Sequence, residues 1–152
     1  MFVVYIPGVW DLLHVGHLRV LQNAKNLGNK LFVGVASDQA VKEDKGSFPT
    51  ISDTDRTEML NALSCVDHAL IYPKLEFLTH LEILNPDILA VGETWGNETR
   101  HLEAKDWIDR RGKVFYKLPY TKDISTTLIK RKIVQGAKKE DGKRTNPRNG
   151  AS

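Results

Sequence analysis

Five short apolar runs, each separated from the next by a stretch of helical periodicity, constrain this chain more than any other feature. Phe2-Val3-Val4-Tyr5-Ile6, Leu31 to Ala36, Ala69 to Tyr72, Ile88 to Val91 and Val114 to Tyr116 are continuous and rich in β-branched and aromatic residues. Runs of this kind suit strands covered on both faces, where no solvent side forces alternation. Between them Leu18, Leu21 and Leu27 recur at helical spacing with Ala24 among them, and Met59, Leu60 and Leu63 mark the buried face of another helix. Further helices are expected at about 75–84 and 103–110, and a last one carries Leu128, Ile129 and Ile133. Strands alternating with helices through short connections predict an α/β fold: a Rossmann-like, doubly wound parallel five-stranded sheet with helices on both faces.

Ligands of such sheets bind beyond the C-terminal strand ends, near the switch in strand order. The first strand runs out through Pro7-Gly8 into Val9-Trp10-Asp11, and His14-Val15-Gly16-His17 then opens a helix that stops at Gly28. A helix placed there leaves its first N–H groups unpaired and aimed past the strand, which makes a phosphate site. Two imidazoles beside it point to phosphate chemistry. Other candidates gather at the same end: Lys45 in a polar loop read over 43–52, Gly92 to Trp95 after the fourth strand, and Ser125-Thr126-Thr127 opening the last helix. Arg56 falls in the first turn of its helix, where a cation opposes the dipole and calls for another explanation. No third His, Cys or carboxylate stands at a convincing metal-ligand spacing from the two histidines, so no metal site is expected.

Of the 152 residues, 1–135 read as one domain, and the formal charge of +3 resides beyond it. Residues 136–152 hold five basic side chains (Lys138, Lys139, Lys143, Arg144, Arg148) against two acidic ones, whereas residues 1–135 hold 17 of each sign. A neutral body offers no basic face for nucleic acid. The basic tail reads as solvated and disordered. No apolar run is long enough to span a bilayer and no secretory signal precedes the first strand, so neither membrane nor export is expected. The single Cys65, assigned to an apolar stretch of helix, reads as an inert thiol in a reduced, cytoplasmic setting.

Together, His14-Val15-Gly16-His17 and Ile124-Ser125-Thr126-Thr127 resemble the HxGH and ISTT signatures of the cytidylyltransferase-like nucleotidyltransferases, over about residues 3 to 133. Within that group the chain resembles the glycerol-3-phosphate cytidylyltransferases and the adenylyltransferase domain that makes ADP-heptose. The resemblance implies magnesium-dependent transfer of a nucleotidyl group from a nucleoside triphosphate to a small phosphorylated alcohol or sugar, with pyrophosphate released, in a homodimer. It gives catalytic roles to His14, His17, Lys45, Ser125 and Thr126. Gly8, Val9, Trp10, Asp11, Gly16, Gly92, Trp95, Ile124 and Thr127 would contact the nucleotide, and Arg56, Tyr120 and Lys122 the substrate phosphates.

The chain also departs from the cytidylyltransferase pattern. Tyr120-Thr121-Lys122-Asp123 replaces Arg-Thr-Glu-Gly before ISTT, Ser64-Cys65-Val66-Asp67 replaces Arg-Tyr-Val-Asp, and Gly8-Val9-Trp10-Asp11 replaces Gly-Thr-Phe-Asp. The heptose adenylyltransferases also lack arginine at the first two places. The first expectation is therefore CTP with glycerol 3-phosphate. The alternatives are ATP with a sugar 1-phosphate of the heptose type, or a nucleotide-binding module impaired in turnover.

Overall fold

The computed structural model describes residues 1–74, 76–93, 98–119 and 124–144. In chain order the elements are β1 (Val3–Gly8), α1 (Val15–Asn26), β2 (Lys30–Ala36), α2 (Asp38–Lys45), α3 (Asp53–Asn61), β3 (His68–Tyr72), α4 (Leu78–Leu84), β4 (Ile88–Gly92), α5 (Thr99–Arg110), β5 (Val114–Leu118) and α6 (Thr126–Arg144). The five strands form one sheet of order β3-β2-β1-β4-β5, and every pairing is parallel. This is the doubly wound architecture that the apolar runs predict.

Central β1 feeds a core on each face of the sheet. Val4 and Ile6 point to one side, where they pack with Leu21, Leu31, Val33 and Leu60. Tyr5 points to the other, among Leu81, Leu89, Trp107 and Ile108. Each fully buried side chain of this size contributes roughly 1.5–3 kcal/mol. Burial on both sides is why the strands read as unbroken apolar runs rather than as alternating ones. The chain winds outward from β1 through β2 to β3, then returns to lay β4 on the opposite flank of β1. The crevice beyond the C-terminal ends of β1 and β4 is thus the switch point where ligands bind.

Several local expectations are corrected. The segment 43–45 is helical: Ser37 Oγ caps α2 by accepting from Ala40 N, and Gly46, at φ 81°, ends the helix after Lys45. Met59 is 54% exposed, whereas Leu60 is buried and Leu63 packs against the core as expected. Cys65 lies in the turn after α3, partly buried, with burial pushing its thiol pKa up. The last helix passes Gly136 and continues to Arg144, so residues 136–144 are helical rather than unstructured. Lys138, Lys139 and Glu140 are good helix formers, and propagating an existing helix is far easier than starting one. Residues 145–152 lie outside those described. Among the described residues, no helix is long and apolar enough to cross a membrane.

Candidate active site

The start of α1 is built by its two histidines. His14 is the N-cap, and its Nδ1 accepts from the backbone N–H of Gly16 at 3.0 Å and of His17 at 3.4 Å. In return His14 N–H donates to His17 Nδ1 at 3.3 Å. This is a capping box with imidazoles in place of the usual hydroxyl and carboxylate. A backbone N–H can only donate, so both Nδ1 atoms must be lone-pair acceptors. In each neutral ring the proton is therefore on Nε2. The rings stack with centroids 3.8 Å apart at 21°, and the cap leaves both Nε2–H groups unused by it. Gly16 makes this possible: a Cβ there would lie 2.8 Å from His14 Cε1 and 3.0 Å from Ile124 Cγ2. Its missing side chain makes room for the capping ring and for Ile124.

Burial lowers the pKa of His14. It pushes that of His17 down to about 4, with His14 adding to the effect and Asp11 opposing it. The pair is neutral near pH 7 and donates hydrogen bonds without carrying charge.

Before the histidines, the backbone makes a forced turn. Trp10 and Leu12 have φ values of 62° and 49°, left-handed conformations that cost non-glycine residues roughly 1–3 kcal/mol each. Packing holds the first in place: the Trp10 indole is buried, its Nε1–H donates to Gly34 O at 3.0 Å, and its ring stands edge-on to His17 at 5.5 Å. Asp11 ties the turn to the segment that leads into α3. Its carboxylate accepts from Thr50 N at 2.8 Å, Ile51 N at 3.0 Å and Leu12 N at 3.1 Å, and Lys130 Nζ lies 3.5 Å away. Burial raises the Asp11 pKa, but the Thr50 and Ile51 N–H groups and the Lys130 ammonium outweigh it and hold the carboxyl below its ordinary value. Thr126 Oγ1 donates to Asp11 O at 2.9 Å and lies 3.5 Å from His14 Nε2, which brings the start of α6 against the start of α1. Ser125 Oγ accepts from Leu128 N, so Ser125 caps α6.

A cavity of about 610 Å³ opens at this end of the sheet. Gly8, Val9, Trp10, Asp11, His17, Lys45, Gly92, Thr126 and Thr127 line it, so nine of the expected residues converge there across a span of more than a hundred positions. His14, Gly16, Ser125 and Ile124 are not lining residues; His14 adjoins the wall through Thr126, 3.5 Å from its Nε2, and the others neighbour it in the chain or through Gly16. Trp95, Tyr120 and Lys122 lie outside the described residues.

Arg56 is placed differently from expectation. It is 2% exposed, and its guanidinium donates to Val9 O at 2.6 Å, Ile51 O at 2.9 Å and Asp38 Oδ1 at 2.8 Å. These contacts clamp the β1–α1 turn to α2 and α3, and they explain a cation at a helix start without a bound phosphate. Sequence reasoning passed over Lys130, Asp44, Arg100 and His101, all of which line the cavity. For Lys130 a signal existed, since it falls four residues after Thr126 and three after Thr127 and so shares their helix face. Arg100 pairs with Asp44 and Glu98 across the cavity rim, a link between α2 and α5 that no local pattern announces.

Imidazole donors, a hydroxyl-bearing helix start and a switch-point cavity together make an α/β site suited to phosphate groups. The chain belongs to the cytidylyltransferase-like family, which it matches over residues 5–132. Among curated relatives it is 37% identical over 133 residues to the bifunctional protein HldE of Syntrophotalea carbinolica, covering 87% of this chain and 27% of that protein. It is 41% identical over 97 residues to the bifunctional protein HldE of Helicobacter pylori strain P12, covering 63% of this chain and 21% of that one. The chain thus spans about a quarter of the length of the curated relatives it matches. Among solved structures, the lipopolysaccharide core biosynthesis protein of Thermoplasma volcanium superposes with a TM-score of 0.66 at 27% identity, covering 82% of this chain and 99% of that one. The pantoate-beta-alanine ligase of Francisella tularensis shares the fold, with a TM-score of 0.56 at 17% identity over 80% of this chain and 60% of that one.

Proposed function

We propose that this protein is an adenylyltransferase that joins the AMP portion of ATP to a sugar 1-phosphate of the heptose type. The observation that carries nucleotidyl transfer is the reciprocal imidazole cap, which sets two Nε2–H donors at a helix start, that of His17 on the cavity wall and that of His14 beside Thr126 Oγ1 at 3.5 Å. A phosphate oxygen of the acceptor attacks the α-phosphorus, the bond from that phosphorus to the bridging oxygen breaks, and pyrophosphate departs with the electron pair. No covalent enzyme intermediate is required. The side chains hold two anions in line and stabilise the charge that grows on the α-phosphate. His14 and His17 supply fixed donors there, and Lys45, at the end of α2, supplies a cation from across the cavity.

Similarity to HldE proteins and to a lipopolysaccharide core biosynthesis protein favours ATP and a sugar phosphate over CTP and glycerol 3-phosphate. Ser64 and Tyr120 point the same way, because they stand where cytidylyltransferases carry arginine. Among the described residues no group of three or more His, Cys, Asp or Glu could hold a metal ion, and both Asp11 oxygens already take backbone N–H groups. Magnesium therefore fits this site as the triphosphate's own ion, held mainly by phosphate oxygens. The test is pyrophosphate release with ATP or CTP plus magnesium, each offered heptose 1-phosphate, other sugar 1-phosphates and glycerol 3-phosphate. Turnover with ATP and a sugar 1-phosphate, abolished in the His14→Ala/His17→Ala double variant, is expected. Preference for CTP with glycerol 3-phosphate would overturn the substrate assignment, and turnover surviving the double substitution would overturn the site.

A further inference from the structure

The cavity is lined from both faces of the sheet. His17 and Thr126 belong to the starts of α1 and α6, and α1 packs on the face to which Val4 and Ile6 point. A second set of polar groups reaches the cavity from the Tyr5 face: Asp44 near the end of α2, Tyr72 at the end of β3, and Glu98 and Arg100 at the start of α5. β3 lies two strands from β1, about 10 Å away, a distance that a phosphorylated sugar spans.

The chemistry of this second set suits hydroxyls better than phosphate. Arg100 makes a forked pair with Asp44, Nη1 to Oδ1 at 3.4 Å and Nη2 to Oδ2 at 3.3 Å, and also pairs with Glu98. One guanidinium between two carboxylates leaves the trio with a net negative charge, which repels an anion. His101, whose pKa burial lowers, adds no charge there near pH 7. Lys45, next to Asp44 on α2, is the cation that this side offers to a phosphate. Both Asp44 contacts exceed the roughly 2.7–2.9 Å of a tight charged pair. Asp44 thus keeps lone pairs, and Arg100 two of its five N–H groups, for a ligand. Tyr72 supplies the decisive observation: it is 7% exposed, yet its hydroxyl makes no hydrogen bond among the described residues. Burial raises its pKa against the pull of Arg100 and Arg56, so the hydroxyl stays protonated and can donate. A buried hydroxyl that bonds nothing in the fold, on the wall of a cavity, is explained by a ligand that bonds it. Phe48 and Phe77 line the same part of the cavity and offer apolar surface to the carbon face of a sugar ring.

We propose that Tyr72 and Asp44 are specificity-determining residues for the acceptor, Tyr72 Oη donating to one hydroxyl of the sugar and the Asp44 carboxylate accepting from another, while Arg100 fixes that carboxylate. The assignment rests on the sugar 1-phosphate reading above. The acceptor then lies with its phosphate toward Lys45 and the histidines and its hydroxyls toward β3 and α5.

The test uses the full chain as wild type, Tyr72→Phe, Asp44→Asn and, as a charge-matched control on the exposed side of α5, Asp106→Asn. Steady-state kinetics with ATP, magnesium and heptose 1-phosphate is paired with calorimetric titration of heptose 1-phosphate alone. Loss of one neutral hydrogen bond should raise the KM for the sugar about fivefold in Tyr72→Phe, and loss of a charged one about tenfold or more in Asp44→Asn. The KM for ATP should stay within about twofold in both, and Asp106→Asn should match wild type within about twofold on each substrate. Tyr72→Phe should keep the wild-type urea midpoint, because the hydroxyl it removes bonds nothing in the fold. A sugar KM unchanged in either variant, an equal rise in the KM for ATP, or the same rise in Asp106→Asn overturns the proposal. Binding of heptose 1-phosphate by wild type without turnover, weakened in both variants, would sink the transferase reading and keep the sugar subsite. Turnover in wild type with the sugar KM unaltered in the variants would do the reverse, and a wild type that neither binds nor uses heptose 1-phosphate would sink both.

Discussion

Replacing His17 by glutamine should change how stability depends on pH in a calculable way. His17 Nδ1 accepts from His14 N–H, so adding a proton there removes the acceptor and breaks one arm of the cap. Its folded pKa, about 4, lies below the ~6.5 of a free imidazole, so the unfolded chain binds one more proton between those values. Stability contributed by neutral His17 is therefore fully present above that window and is lost as pH falls through it. One proton is worth about 1.4 kcal/mol per pH unit, so acidification from about pH 7 to about pH 5 costs about 2 kcal/mol through His17 alone. Glutamine at this position offers a carbonyl to the same N–H, as in an ordinary capping box, and does not titrate. His14 and Asp11, the titrating groups that act on His17, are present in both proteins, so their contributions largely cancel in the comparison. Urea unfolding can be followed through the fluorescence of buried Trp10 and Trp107. The expected result is that wild type loses about 2 kcal/mol more than His17→Gln between the two pH values. Parallel losses would refute both the depressed pKa and the acceptor role of Nδ1.

Arg56→Met should destabilise the fold by about 3 kcal/mol in urea unfolding, because two carbonyls and the Asp38 carboxylate lose a buried partner. A phosphate-binding arginine would instead raise the KM and leave the unfolding midpoint in place. Gly34→Ala should cost about 3 kcal/mol by the same measurement. Its Cβ would fall 2.1 Å from Tyr5 Oη, and that hydroxyl is held 2.8 Å from His80 Nδ1 in the core.

Legible and hidden features of the chain divide along physical lines. The sheet was legible because burial on both faces writes itself as unbroken runs such as Leu31 to Ala36. The site was legible because strand ends and helix starts converge by topology, which brings Thr126 to His14 without any local signal linking them. The use of Arg56 was hidden, since its bond to Val9 O joins positions 47 apart and the same residue type would also serve a phosphate. Lys130 was overlooked among neighbouring cations whose identity in sequence is the same and whose facing depends on helix phase. The extent of α6 escaped because Gly136 and Gly142 argue against a helix, whereas a helix already under way passes each at a cost of about 1 kcal/mol.

The imidazole cap of α1 binds chemistry and architecture into one object. The Nδ1 of each ring holds the helix start, while Nε2 is the atom the proposed transfer would use. Under the proposed function, alanine at either position removes a hydrogen-bond donor and a structural tie together, so an inactive variant made that way reports two losses at once. Glutamine or asparagine, which retain a carbonyl for the backbone, divide the two. The same economy acts over longer times: a descendant of this chain that gave up catalysis could not discard its histidines without finding another way to begin its first helix.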